Sequence, residues 1–322
     1  MHISIIFVRN FQNMMENHTL IVSFQLLDFP ELHQLEHLIG FILLASYMIT
    51  LAGNIMIIIL VIHDPQLHIP MYFFLGNLSC LEILITTSII PKVLVSLLLG
   101  NKSISYPGCL SQCYFFFFLG SSDFVLLAVM SYDRYVAICN PLQYPVIMRH
   151  EFCLWLVISC YATGFLGTIL PTILVTNLPF CDRNQIDHFF CDSLALMKLA
   201  CTDTNLVELI SFFSSSVIVV GSFISTIISY VYIITVIVQI PSSSGRQKAF
   251  STCSSHLTVV SLGYSSCIFM YVRPSGSNPS TNKIVSLINT VLTPLLSPFI
   301  FSLRNKQMKE AAKIIFIKHA VY

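Results

Sequence analysis

"VMSYDRYVAICNPLQYP", Val129 to Pro145, is the stretch that decides how this chain is read. An apolar run ends inside it and leaves Asp133 and Arg134 side by side. Charges cost several kcal/mol in hydrocarbon, so an adjacent acid and base at the end of an apolar helix mark a water boundary, a working part, or both. The rest of the chain supports the membrane half of that statement. Of 322 residues, 55% are hydrophobic and 10% charged, with a mean hydropathy of +0.80. A soluble domain carries about 25% charged residues. The net charge of +1 offers no basic face for nucleic acid.

Outward from Asp133, seven apolar segments follow one another at 37–62, 72–99, 107–139, 152–174, 205–239, 249–272 and 284–303. Each reaches the ~20 residues that a helix needs to cross ~30 Å of hydrocarbon. The third and fifth are long enough to tilt or project. "HDPQLHIP" (63–70), "NPLQYPVIMRHE" (140–151), "PSSSGRQK" (241–248) and "RPSGSNPSTNK" (273–283) read as loops. Pro91, Pro171, Pro294 and Pro298 suit membrane helices, whose neighbours re-satisfy the freed backbone groups. The expected fold is an all-α membrane protein: a seven-transmembrane helix bundle over 37–303, with an extracellular segment 1–36 and a cytoplasmic tail 304–322. In that tail Met308, Ala311, Ala312 and Ile315 form a stripe amid lysines, as in a short amphipathic helix on the inner leaflet.

Basic residues set the orientation. With the C-terminus inside, nine Lys and Arg are cytoplasmic and seven are not, and five of the nine crowd into 304–318. Asn17-His18-Thr19 is a glycosylation acceptor, which requires lumenal exposure. Both signals place the N-terminus outside. "HISIIFV" has no basic residue before it and no small-residue cleavage site after it, so the first span is expected to act as an uncleaved signal anchor. Of eleven cysteines, Cys109 sits at the outer end of span three, and Cys181, Cys191 and Cys201 lie in the long loop 175–204. Four cysteines on the oxidising side form a disulfide framework, for which three pairings are open.

The segments "PMYFFLGNLSCLEI" (70–83), "MSYDRYVAICNPLQYP" (130–145), "KAFSTCSSHLTVV" (248–260), "PLLSPFIFSLRNKQMKEA" (294–311) and the loop "FCDRNQIDHFFCDSLALMKLACTDT" (180–204) resemble, in the same order, those of vertebrate olfactory receptors. These are rhodopsin-like G-protein-coupled receptors, and the resemblance covers about 25 to 315. It implies a plasma-membrane sensor for small odorant molecules, coupled through the stimulatory olfactory G protein to cyclic AMP. It also implies the pairings Cys109–Cys191 and Cys181–Cys201. Asp133 and Arg134 would form an inner lock that opens on activation, with Arg134 also reaching inner-end groups of span six. Tyr230 resembles the tyrosine that swings toward this arginine. Span seven departs from the family pattern, with Ser297 before Pro298 where asparagine is usual and Phe301 where tyrosine is usual. Both departures remove polar partners from the rearranging core.

The ligand site is expected in the outer half of the bundle. At ~1.5 Å per residue, Phe116, Phe117, Gly120 and Ser121 stand roughly 20–27 Å above Arg134, in one layer with Tyr264 and beneath Tyr271. Ser214 and Val217 on span five and Thr290 on span seven complete it. A mostly apolar layer with a few hydroxyls suits small volatile ligands. Deeper in, Glu82 and Asp123 each lie roughly 15 Å from the inner boundary. Two carboxylates at one depth must share a proton or a cation. Glu82 resembles the usual acidic ligand of the sodium ion that rhodopsin-like receptors hold, so a sodium site made by Glu82 and Asp123 is expected. The alternative is a protonated pair bonded to neighbours such as Asn54. A transporter would show repeats and broken helix pairs, and an intramembrane hydrolase would need a nucleophile with a base; neither pattern is found.

Overall fold

The computed structural model describes residues 22–27, 34–180, 184–271, 279–304, 307–311 and 313. Asn17 and Cys181, singled out above, lie outside the described residues, as do the side chains of Tyr271, Ala312 and Ile315. Seven long helices form the bundle expected from the sequence. They are α1 (Glu36–His63), α2 (Pro70–Leu99), α3 (Tyr106–Cys139), α4 (His150–Thr176), α5 (Asn205–Gln239) and α6 (Ser243–Tyr271). The seventh, α7, is built from Pro279–Leu287, a π turn at Ile288–Leu292, and Thr293–Arg304. Six of the seven are long and apolar enough to cross a membrane. The exception is α6, 29 residues long, which carries the polar run Ser251 to Ser255 before His256. Three of its polar side chains turn inward, Ser255, His256 and Ser266, whereas Thr258, Ser261 and Ser265 are exposed.

Local chemistry explains the helix ends. Pro70 opens α2 at a position where its missing N–H is not needed, and Gly100, at φ 67°, closes it in the left-handed conformation that glycine adopts without strain. Ser105 caps α3 by accepting from the Gly108 N–H at 3.3 Å. α6 begins at Ser243 rather than at 249, because the Ser242 hydroxyl accepts from the Gly245 N–H at 3.1 Å and turns most of the expected loop into helix. α7 likewise starts earlier than expected, at Pro279, which brings Lys283 into the helix.

α3 is the central helix, packed along α4, α5 and α2. Gly164 makes its approach to α4 possible, since a Cβ there would lie 2.2 Å from Ser122 Oγ and 2.7 Å from the Phe118 carbonyl oxygen. A small three-stranded sheet closes the loop end, in the order β2–β1–β3. β1 (Ser23–Leu26) pairs antiparallel with β2 (Ser103–Ser105) and parallel with β3 (Gln185–Ile186). Phe24 and Leu26 of β1 are fully buried against Cys109, Cys191 and Leu196, so this part of the N-terminal segment belongs to the folded bundle.

The described part of the tail is helical and packs on the bundle. Met308 and Ala311 lie in the main core cluster with Tyr72, and the Tyr72 hydroxyl donates to Gln307 Oε1 at 2.8 Å. Met308 and Ala311 of the apolar stripe therefore face protein.

Candidate functional site

A cavity of about 110 Å³ lies between α2, α3, α5, α6 and α7. Phe116, Phe117, Gly120 and Ser121 form its α3 wall, as the depth argument placed them. A Cβ on Gly120 would meet nothing within 4 Å, so the missing side chain is open space. α5 contributes Ser215 and Val219, α6 contributes Val259, Gly263 and Cys267, and α7 contributes Ser286 and Asn289. Asn289 falls within the π turn, a distortion often found at functional sites, and its Oδ1 accepts from Ser266 Oγ at 3.1 Å. The walls are mostly apolar, with a few hydroxyls and one amide.

Not every expected residue reaches this space. Ser214 and Val217 point away from it: the Ser214 hydroxyl donates to the Gly167 carbonyl of α4 at 2.5 Å, and Val217 is 57% exposed on the outer surface of the bundle. Tyr264 is buried behind the wall, its ring 5.2 Å from that of Phe124 and its hydroxyl donating to Ser222 Oγ at 2.9 Å. Thr290 is buried and donates to the Ser286 carbonyl, supporting a wall residue without lining the cavity.

The roof comes from the loop before α5, which sequence reasoning did not include. Phe190 lines the cavity and packs on Phe116 with ring centroids 4.9 Å apart. Cys191 is bonded to Cys109, the pairing that the resemblance implied. Cys201 is disulfide-bonded too. Cys181, its expected partner, lies outside the described residues; the Phe180–Ala200 bridge and the Cys201 N–H bond to the Pro179 carbonyl join the flanking segments. Gln112 adds a second tether, with Oε1 accepting from the Cys191 N–H at 3.0 Å and Nε2 donating to the Ser88 carbonyl at 2.9 Å. Lys283 is a third: its Nζ donates to Asp187 Oδ1 and to the Leu27 carbonyl, both at 2.7 Å. His188, buried within this roof, has its pKa lowered, chiefly by burial and further by Lys283, against the opposing pull of Asp192 and Asp187.

Glu82 and Asp123 reach the floor of the same cavity. Glu82 Oε2 accepts from Ser297 Oγ at 2.5 Å, so the serine that replaces the usual asparagine still supplies a polar contact. Asp123 Oδ1 and Asn54 Oδ1 are buried with no hydrogen-bond partner among the described residues. Buried oxygens without donors, beside a second carboxylate, fit a hard cation that takes oxygen ligands.

At the other end of α3, Arg134 Nε donates to Asp133 Oδ2 at 3.0 Å and Nη2 donates to the same oxygen. The pair is buried, 1% and 7% exposed, rather than resting at the water boundary. Burying an ion pair costs several kcal/mol per ion unless the remaining lone pairs are satisfied. Tyr144, from the helical turn Tyr144–Ile147, satisfies them by donating to Asp133 Oδ1 at 2.8 Å. Burial and the Asp133 carboxylate push the Tyr144 phenol pKa up, which keeps that proton in place. The Tyr230 hydroxyl bonds His256 Nδ1 at 2.7 Å rather than Arg134, its ring stacked on the imidazole. Among the described residues no ion pair joins Arg134 to α6. Pro298 approaches α1 at Gly53, where a Cβ would lie 3.0 Å from Pro298 Cβ.

Residues 43–319 match the family model described as olfactory receptor. Human olfactory receptor 6S1 is 49% identical over 298 residues, 92% of this chain and 90% of its own. Human olfactory receptor 6X1 is 47% identical over 300 residues, 93% of this chain and 96% of its own. Mouse olfactory receptor 6E1 is 48% identical over 298 residues, with 92% and 95% covered. Among solved structures, squid rhodopsin matches with a TM-score of 0.64 over 88% of this chain and 86% of its own. At 14% identity that likeness concerns the fold.

Proposed function

Since the chain belongs to the olfactory receptor family, and is a multi-pass plasma-membrane receptor rather than an enzyme, we propose that it binds small, mostly apolar odorants in the cavity beneath Phe190 and activates the stimulatory olfactory G protein to raise cyclic AMP. The observation that carries this reading is the shared helix: α3 presents Gly120 and Ser121 to the cavity and the buried Asp133–Arg134 pair at its other end. The two lie thirteen residues apart, about 20 Å along one rigid element. A ligand that binds one arrangement of α3 better than another shifts the equilibrium by that difference in affinity. The loop end faces outside, where the Cys109–Cys191 bond forms in an oxidising compartment, and Arg134 faces the G protein. Sodium held by Glu82 and Asp123, with Asn54 beside them, favours the inactive arrangement.

The test is an odorant panel on cells that co-express the olfactory G protein, with cyclic AMP as readout. Gly120→Phe fills the cavity and is expected to abolish responses, and Arg134→Ala is expected to abolish them while leaving surface expression intact. Normal signalling by Arg134→Ala would remove the lock assignment, and normal dose–response curves for Gly120→Phe would move the ligand elsewhere.

A further inference from the structure

On the loop side the cavity is roofed by a buried segment. His188, Phe189 and Phe190 are 5%, 0% and 1% exposed, and the disulfide, Gln112 and Lys283 hold the segment down. The bundle is open in a different direction. Between α4 and α5 a groove of about 760 Å³ faces the lipid, lined by Leu166, Leu170 and Phe213, each more than half exposed. Its inner wall includes Gly167, which also lines a narrow space of about 40 Å³ between α3, α4 and α5. That space in turn shares Phe117 and Ser215 with the odorant cavity. Groove, throat and cavity are therefore consecutive, each pair joined by a common wall.

We propose that apolar odorants reach the cavity from the membrane, through a portal between α4 and α5 latched by the Ser214–Gly167 hydrogen bond. The inference rests on the cavity being the odorant site. Apolar solutes concentrate in the bilayer, so the groove meets them where they are most abundant. At 40 Å³ the throat holds no more than water, so passage requires the helices to part. One polar contact spans the mouth at that point, from Ser214 Oγ to the Gly167 carbonyl. The helices are close at Gly167, where a Cβ would lie 2.4 Å from Ile218 Cδ1, the mobile end of that side chain. The throat contains a docking point for a polar-tailed odorant: Ser211 Oγ is buried there without a hydrogen-bond partner among the described residues. A hydroxyl or carbonyl on the ligand can satisfy it in transit, which lowers the cost of leaving the lipid.

The experiment uses the full chain in lipid nanodiscs, with octanol bearing an aliphatic diazirine as probe and adducts mapped over time by mass spectrometry. Groove adducts on Phe213 are expected to precede cavity adducts on Phe116, which lines the cavity but not the throat. Ser211→Trp and Thr172→Trp plug the throat from opposite helices and are expected to slow cavity labelling at least tenfold, with groove labelling unchanged. Ser214→Ala is expected to speed cavity labelling, and serves as the decisive variant should both tryptophans prevent folding. Lys283→Ala loosens the roof and is expected to leave the rate unchanged. Cavity labelling at the parent rate in the folded tryptophan variants or in Ser214→Ala, or a tenfold rise with Lys283→Ala, would overturn the portal. Groove adducts without cavity adducts in the parent would overturn the binding reading itself, and the portal with it.

Discussion

Replacing both Cys109 and Cys191 by serine tests how the roof is held. The bonded residues are 82 positions apart, and on chain-entropy grounds a closed loop of that length is worth about 4.5 kcal/mol. That figure overstates this case, because α3 and α4 stay inserted when the loop opens. The segment actually freed runs from Asn177, the cap of α4, to residue 191. It has about 15 residues, for which the same relation gives about 3 kcal/mol. At about 1.4 kcal/mol per tenfold, opening of the roof should become roughly 150 times more frequent. The Gln112 tether survives in this variant, so adding Gln112→Leu should cost about a further 1–3 kcal/mol by leaving a buried N–H unpaired.

Hydrogen exchange reads this directly. The His188 N–H is bonded to the Ile186 carbonyl and the residue-191 N–H to Gln112, so both amides report on the roof. In the disulfide-free variant their protection should fall about a hundredfold, while amides in the middle of α3 keep theirs. Surface delivery should fall as well, since the loosened roof exposes Phe189 and Phe190, which are otherwise buried. Protection within threefold of the parent would refute the reasoning and shift the tethering to Gln112 and Lys283.

Sodium, raised at constant ionic strength, is expected to lower agonist affinity severalfold, and Asp123→Asn to blunt that effect; sodium-independent affinity would favour a proton shared by Glu82 and Asp123. The lowered pKa of His188 carries a sign: below pH about 6.5 the unfolded chain takes up a proton that the buried ring refuses. Thermal stability should thus hold above that pH and fall below it by up to about 1.4 kcal/mol per pH unit, and a His188→Gln variant with the same acid loss would sink the assignment. Ser297→Asn with Phe301→Tyr restores the family pattern and should raise maximal cyclic AMP; because Phe301 is 2% exposed in the core, the added hydroxyl needs a partner, and an unchanged maximum would mean that the departures are silent.

What could be read from the sequence divides along a physical line. Lipid acts on each residue separately, so apolar runs disclosed the spans, and the rise per residue put Phe116, Phe117, Gly120 and Ser121 in one layer; it put Glu82 and Asp123 at a common depth below, without showing that they form the floor of the same cavity. Contacts between distant segments left no local mark. β1 pairs with residues about eighty and one hundred sixty positions away, Gln112 reaches Cys191, and Tyr144 bonds Asp133 across a loop. In the tail the stripe was legible but its partner was not, since Met308 packs as readily on Tyr72 as on lipid.

The failure on α5 has a sharper cause. In a soluble helix, polar residues identify the outer face and so fix the rotational phase of the inner one. Here both faces are apolar, one toward lipid and one toward the cavity, and Val217 and Val219 look alike in sequence although one is exposed and the other lines the site. Ser214 and Ser215 carry the consequence furthest. They differ by one position and about 100° of rotation. Ser214 closes the gap to Gly167, while Ser215 lines both throat and cavity. A reading one residue out of phase therefore exchanges a ligand contact for a latch. Substitutions at the two positions should separate accordingly: at Ser215 they should change which odorants bind, and at Ser214 how quickly any of them arrives.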